Sequence, residues 1–87
     1  MPVGRLIWDD DNEEHIARHG IDREDVEQAF YSSRVIERAR NDTYRVVGQT
    51  DSGRYIAIFV APRKGGEWYV VTARDADLRE RRNFRRR

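Results

Sequence analysis

The chain has 87 residues, 38% of them charged, 38% hydrophobic and none cysteine. That length allows one domain over 1–87 with a thin core and an ionic surface, and the 10% aromatic content separates it from disordered chains. Lack of cysteine excludes disulfides and thiolate metal sites, and no apolar run approaches the ~20 residues of a membrane helix; the expectation is a cytoplasmic protein with no membrane role, metal or cofactor.

The formal net charge of +1 hides a division. Residues 1–32 carry three basic and nine acidic side chains, a net −6, whereas residues 33–87 carry fourteen and seven, a net +7. Such asymmetry can focus a positive field on one face. It suits an acidic ligand at the later elements; the alternative is two complementary halves packed on each other.

The first element, GRLIW (4–8), is a short β-prone run. DDDNEEHIARHG then reads as a helix with Asp9 as N-cap, acids in its first turn and Gly20 as its stop. Asn12, His15, Ile16 and His19 share one face by helical spacing, with His19 in the last turn and His15 expected to pack. The second helix starts at Asp22, with Asp25 at N3, Ile21 and Val26 at staple positions, and Val26, Ala29 and Phe30 facing inward.

From residue 34 the hydrophobic period changes to two. RVIERA (34–39), YRVVGQT (44–50), YIAIFVA (55–61) and EWYVVTA (67–73) read as strands joined by turn-forming links. Links this short favour antiparallel neighbours. Asp77 and Glu80 then open a closing helix, with residues 85–87 expected to fray. The order β-α-α-β-β-β-β-α predicts an α+β fold, a four-stranded mainly antiparallel sheet with two helices before it and one after.

Arginine carries the chemistry. Strict alternation puts Trp68, Val70, Thr72 and Arg74 on one strand face. Arg74 at the strand end either presents a fixed fork to phosphate or pairs with Asp75, Asp77 or Glu80. Six arginines lie within residues 79–87 against Glu80 alone, and nucleic-acid backbone is the general partner that relieves such repulsion. Arg63 and Lys64 form a basic hairpin tip, Arg54 begins a strand, and Trp68 either stacks on a base or packs. Histidine is the side chain whose ordinary titration range suits proton transfer near neutrality; His19 is read as an acid, a phosphate ligand or a structural cap.

The ordered set WDDDN, HIARHGI, DREDVEQAF, GQTDSGRYI, PRKGG, YVVTARDA and RERRNF resembles the BrnT family of toxin proteins along nearly the whole chain. The resemblance implies a RelE-like fold, a type II toxin-antitoxin system and metal-independent RNA cleavage that blocks translation. It also implies a cognate antitoxin protein as partner, with a homodimer or a toxin-antitoxin hetero-oligomer as possible assemblies. Carried onto this chain, it implies catalytic roles for His19, Arg54 and Arg74, with Arg18, Arg81 and Arg82 nearby; Arg63, Lys64 and Trp68 complete the candidate RNA-binding set. The resemblance is that of a diverged member: the chain lacks a lysine frequent in the first helix, has Arg18 in place of another, and has Phe84 where a tyrosine is frequent. A non-catalytic RNA- or protein-binding module of the same fold is the alternative.

Overall fold

The structure, a computed structural model, describes residues 4–86. Its elements are β1 (Arg5–Ile7), α1 (Asp10–Ala17), α2 (Arg23–Tyr31), β2 (Val35–Arg38), β3 (Tyr44–Gln49), β4 (Tyr55–Pro62), β5 (Glu67–Asp75) and α3 (Leu78–Arg86), with a 3-10 turn at Lys64–Gly66. The expected α+β order is present. The sheet, however, is mixed and has five strands, in the order β1-β5-β4-β3-β2. β2 to β5 are antiparallel neighbours, as their short links require, while β1 adds to β5 in parallel, Leu6 opposite Trp68. The route from β1 to β2 crosses the whole sheet, and α1 and α2 make that crossing on one face.

Local signals fix the helix ends. Asp9 accepts from the Asn12 backbone N–H at 2.9 Å and the Asn12 side chain accepts from the Asp9 N–H, closing a capping box. Asp22 and Asp25 close a second box at α2, and Asp77 and Glu80 a third at α3. Helix α1 stops at Ala17, so His19 lies in the following turn and not in the last helical one. His15 is exposed and does not pack; of the four residues read as one face, Asn12 and Ile16 are the buried pair. Helix α3 continues through Arg85 and Arg86, and Arg87 lies outside the described residues.

Two apolar clusters sit on the two sheet faces. The larger joins Ile16, Ile21, Val26, Ala29 and Phe30 of the α1–α2 side to Val46, Ile56, Ile58, Val60, Val70 and Ala73. Burying a side chain of this class stabilises by roughly 1.5–3 kcal/mol, so Phe30, fully buried, is one of the anchors of α2. Helix α2 approaches β3 tightly at Gly48, where a Cβ would fall 1.7 Å from the Ala29 carbonyl oxygen. The smaller cluster, Val35, Val47, Ala57 and Phe84, seats α3 on the opposite face. Nine residues of α3 cover part of that face and leave its side toward the β2–β3 hairpin open.

Strand β5 carries one irregularity with functional consequences. Phe59 pairs with Thr72 but Val60 pairs with Val70, so Val71 is an extra residue, a β-bulge. The bulge reverses the alternation read from the sequence. Thr72 and Arg74 face α3, whereas Val70 joins the α1–α2 cluster and Trp68 packs against it.

Candidate nucleic-acid interface

At one end of the sheet the turn between β3 and β4 delivers Arg54. Thr50 is buried there, and its hydroxyl accepts from the Arg54 backbone N–H at 3.0 Å. The Arg54 Nε donates to Asp75 Oδ1 at 2.7 Å and its Nη1 to the Gly20 carbonyl at 2.8 Å, with Asp25 3.9 Å away. One guanidinium thus ties the α1–α2 turn to the end of β5. Its pKa is pushed above the ordinary arginine value, chiefly by the Asp75 hydrogen bond, with burial opposing. Beside it opens a groove of about 400 Å³ lined by Gly53, Arg54, Tyr55, Asp75, Ala76 and Arg81. The Arg81 guanidinium lies over the Tyr55 ring at 5.4 Å and Arg85 at 5.9 Å, while Tyr55 meets Phe84 edge-on at 5.5 Å. Arg54 and Arg81 therefore line one groove, each held by its own contacts before any ligand arrives.

His19 stands on the turn that Arg54 grips. Its backbone N–H donates to the Ile16 carbonyl, and the next residue, Gly20, with φ of +71°, supplies the carbonyl that Arg54 binds. The His19 side chain is exposed, its ring 5.9 Å from that of His15.

Arg74 lies elsewhere, on the α3 face. Its Nη1 and Nη2 donate to Glu80 Oε1 and Oε2 at 2.7 and 2.9 Å, and the guanidinium covers the Phe59 ring at 5.4 Å. Glu80 is 2% exposed and the Arg74 side chain 39%. The Glu80 hydrogen bond is the main cause that raises the Arg74 pKa, again opposed by burial. Arg45, on β3, approaches the same carboxylate at 3.4 Å and also pairs with Glu37. Of the partners open to Arg74 in the sequence, Glu80 takes both nitrogens. His19 follows α1, which packs on the face opposite α3, and stands next to Gly20, whose carbonyl Arg54 binds.

The remaining candidates divide between locations. Arg63, Lys64 and Trp68 lie at the β4–β5 hairpin, the opposite end of β4 from Arg54; its eight residues at about 3.3 Å each make the separation roughly 25 Å. Arg63 lies over Tyr69 at 5.2 Å, and Trp68 meets Tyr44 edge-on at 5.6 Å. Arg82 joins Arg79, Asn83 and Arg86 along an outer groove of α3. Arg18 caps α1 and is exposed. Thus Arg54 and Arg81 share a groove, Arg82 belongs to the outer groove of α3, and the hairpin cations form a separate patch.

Sequence reasoning passed over Arg45, Tyr55 and Phe59. Alternation does place Arg45 with Val47, and Tyr55 with Ala57 and Phe59, but nothing local marks which strand face a basic helix will cover. Among the described residues no cluster of His, Asp and Glu suits a metal ion, and no helix is long and apolar enough to cross a membrane.

Fold and groove together define a small α+β protein with an arginine-lined cleft at one sheet end. A family model described as the ribonuclease toxin BrnT of type II toxin-antitoxin systems matches residues 8–80, and the chain belongs to that family. The fold is similar to the 1.1 Å crystal structure of the Brucella abortus ribonuclease toxin BrnT, with a TM-score of 0.69 at 24% identity, over 87% of this chain and all of that one. No curated protein matches the chain.

Proposed function

We propose that this protein is a RelE-like, metal-independent endoribonuclease that cleaves RNA in the cytoplasm and inhibits translation. A cognate antitoxin holds it inactive in a hetero-oligomer. The observation that carries the reading is the groove in which Arg54 and Arg81 stand pre-positioned beside the turn bearing His19.

In this mechanism the ribose 2′-oxygen attacks the adjacent phosphorus. The new 2′-O–P bond forms as the P–O5′ bond breaks, leaving a 2′,3′-cyclic phosphate and a 5′-hydroxyl. His19 accepts the 2′-hydroxyl proton, and a proton reaches the departing 5′-oxygen from solvent. Arg54 and Arg81 donate to the non-bridging oxygens, whose charge grows in the transition state. Arg74 acts at one remove: its grip on Glu80 fixes the start of α3, and with it the direction of Arg81. Arg18 and Arg82 attract the flanking backbone, and Arg63, Lys64 and Trp68 form an outlying contact.

A second reading, a binding module that does not cut, is favoured by one observation. Both terminal nitrogens of Arg74 are already occupied by Glu80. Incubation of the purified protein with RNA in excess chelator separates the readings. Cleavage leaving cyclic-phosphate ends, abolished by Arg54→Ala with Arg81→Ala, is expected; RNA retention with no cleavage establishes the binding module instead.

A further inference from the structure

A second groove opens on the α3 face where that helix leaves the sheet bare. It holds about 470 Å³, and its lining includes Arg40, Asn41, Arg45, Phe59, Val71 and Thr72. That volume falls in the range of sites for one small molecular unit. Its walls are unlike one another in a useful way. Phe59 and the bulged Val71, 40% exposed, make an apolar floor. The Thr72 hydroxyl and Asn41 amide offer donors and acceptors, the exposed Arg40 lines the groove, and Arg45 beside it is already paired with Glu37, also in the lining, and with Glu80. An aromatic and aliphatic floor with amide and hydroxyl edges suits a nucleobase, and the exposed Arg40 guanidinium suits the phosphate attached to it.

We infer that this groove is a nucleotide subsite, holding one base of a single-stranded RNA whose backbone continues toward the Arg54–Arg81 cleft. The inference rests on the ribonuclease reading above and adds to it where a neighbouring nucleotide sits. Continuity supports it: Phe59 lines the groove and also lies under Arg74. Tyr55, in the cleft, is four residues back on the same strand face, about 13 Å at 3.3 Å per residue. The bulge shapes the site, since Val71 is the extra residue and the shift puts Thr72 opposite Phe59 on the α3 face. A protein partner fits less well. A stable protein interface covers about 800 Å² on each side with a large apolar centre, whereas Val71 is the one strongly exposed apolar side chain named in this lining.

The test uses a mixed-sequence 2′-O-methyl RNA hexamer, which lacks the attacking hydroxyl and cannot be cut by 2′-oxygen attack. Binding by fluorescence anisotropy is compared for the full-length protein, Arg40→Ala and Val71→Glu, both exposed positions outside the proposed catalytic machinery, and amide shifts are followed by NMR. We expect the hexamer to move the Val71 and Thr72 amides and each variant to bind about tenfold more weakly. Hexamer binding with those amides unmoved and both variants equal to the parent overturns the subsite and leaves the ribonuclease reading standing. Failure of the parent to bind the hexamer while it still cuts unmodified RNA also overturns the subsite alone. If the parent neither binds nor cuts, both fall. Groove amides that respond to an alternating Glu-Leu decapeptide and not to the hexamer overturn the subsite in favour of a protein partner.

Discussion

Arg74 places both of its terminal nitrogens on Glu80, at 2.7 and 2.9 Å, and that carboxylate is almost wholly buried while the arginine is more than a third exposed. The pair is therefore asymmetric. Removing Arg74 leaves a buried anion with the Asp77 backbone N–H and a more distant Arg45, whereas the freed arginine in the reverse case can turn to water.

Arg74→Ala should consequently destabilise the fold by about 2 kcal/mol, less than the loss of a fully buried pair because Arg45 remains. An exposed arginine at this position would cost about 1 kcal/mol or less. Adding Glu80→Gln to Arg74→Ala should recover part of the loss by neutralising the stranded charge. Urea denaturation of the three proteins measures this, and a double variant less stable than Arg74→Ala would show that the unpaired charge is not the cause.

Arg54→Ala should lower RNA cleavage by roughly 10²-fold or more, the order associated with one preorganised transition-state donor. Arg54→Lys should restore little, because an ammonium cannot serve Asp75 and the Gly20 carbonyl while still facing the groove. Single-turnover rates on a defined RNA decide it; parental activity in a folded Arg54→Ala protein would remove this cleft from the mechanism.

RNA affinity should fall steeply with salt. If Arg54 and Arg81 together neutralise the scissile phosphate and Arg18 and Arg82 one flanking phosphate each, the slope of log affinity against log salt should be about −2, at roughly −0.7 per phosphate on single strands. Arg82→Ala should make the slope shallower. Anisotropy titrations across a salt series give the value, and a flat response would point to an apolar contact instead.

Gly48→Ala should be among the most damaging small substitutions. Its Cβ would meet backbone, the Ala29 carbonyl at 1.7 Å, which no side-chain rotation relieves. Overpacking of this kind costs about 3 kcal/mol or more, so α2 should loosen from β3. A normal thermal melt for Gly48→Ala would mean that the two elements pack less closely than described.

Alkaline pH should weaken the joint between α1 and β5. The Tyr69 hydroxyl donates to Asp9, the α1 N-cap, at 2.9 Å, and its pKa is raised above 10.0 by burial first and by Asp9 next. A raised folded-state value contributes stability that is complete below the ordinary tyrosine pKa and is lost as pH rises through the folded one. The stability gap between the parent and Tyr69→Phe should therefore close above about pH 10, the ordinary tyrosine pKa; a gap constant with pH would exclude the hydroxyl as its source.

What could be read along the chain was whatever a few neighbouring residues decide. Asp9, Asp22 and Asp77 bond within their own first turns, so each helix start was visible. The alternation from residue 34 to residue 73 and its short links likewise fixed four antiparallel strands, and the placement of charge pointed to a basic second half. Tertiary structure decided everything that needs a distant partner. β1 seats in parallel beside β5, pairing Arg5 with Glu67, residues far apart in the chain, and that seat has no local signal. The extra residue at Val71 is set by how β5 matches β4, and that one shift sends Trp68 and Arg74 to opposite faces. The choice among Asp75, Asp77 and Glu80 for Arg74 was likewise closed by packing, because Phe84 draws α3 onto the sheet and buries Glu80 where two arginines from different strands can reach it. Backbone bonds and caps act over three or four residues and leave their mark in sequence; register, burial and the pairing of charges follow from surfaces that exist only after the chain has folded.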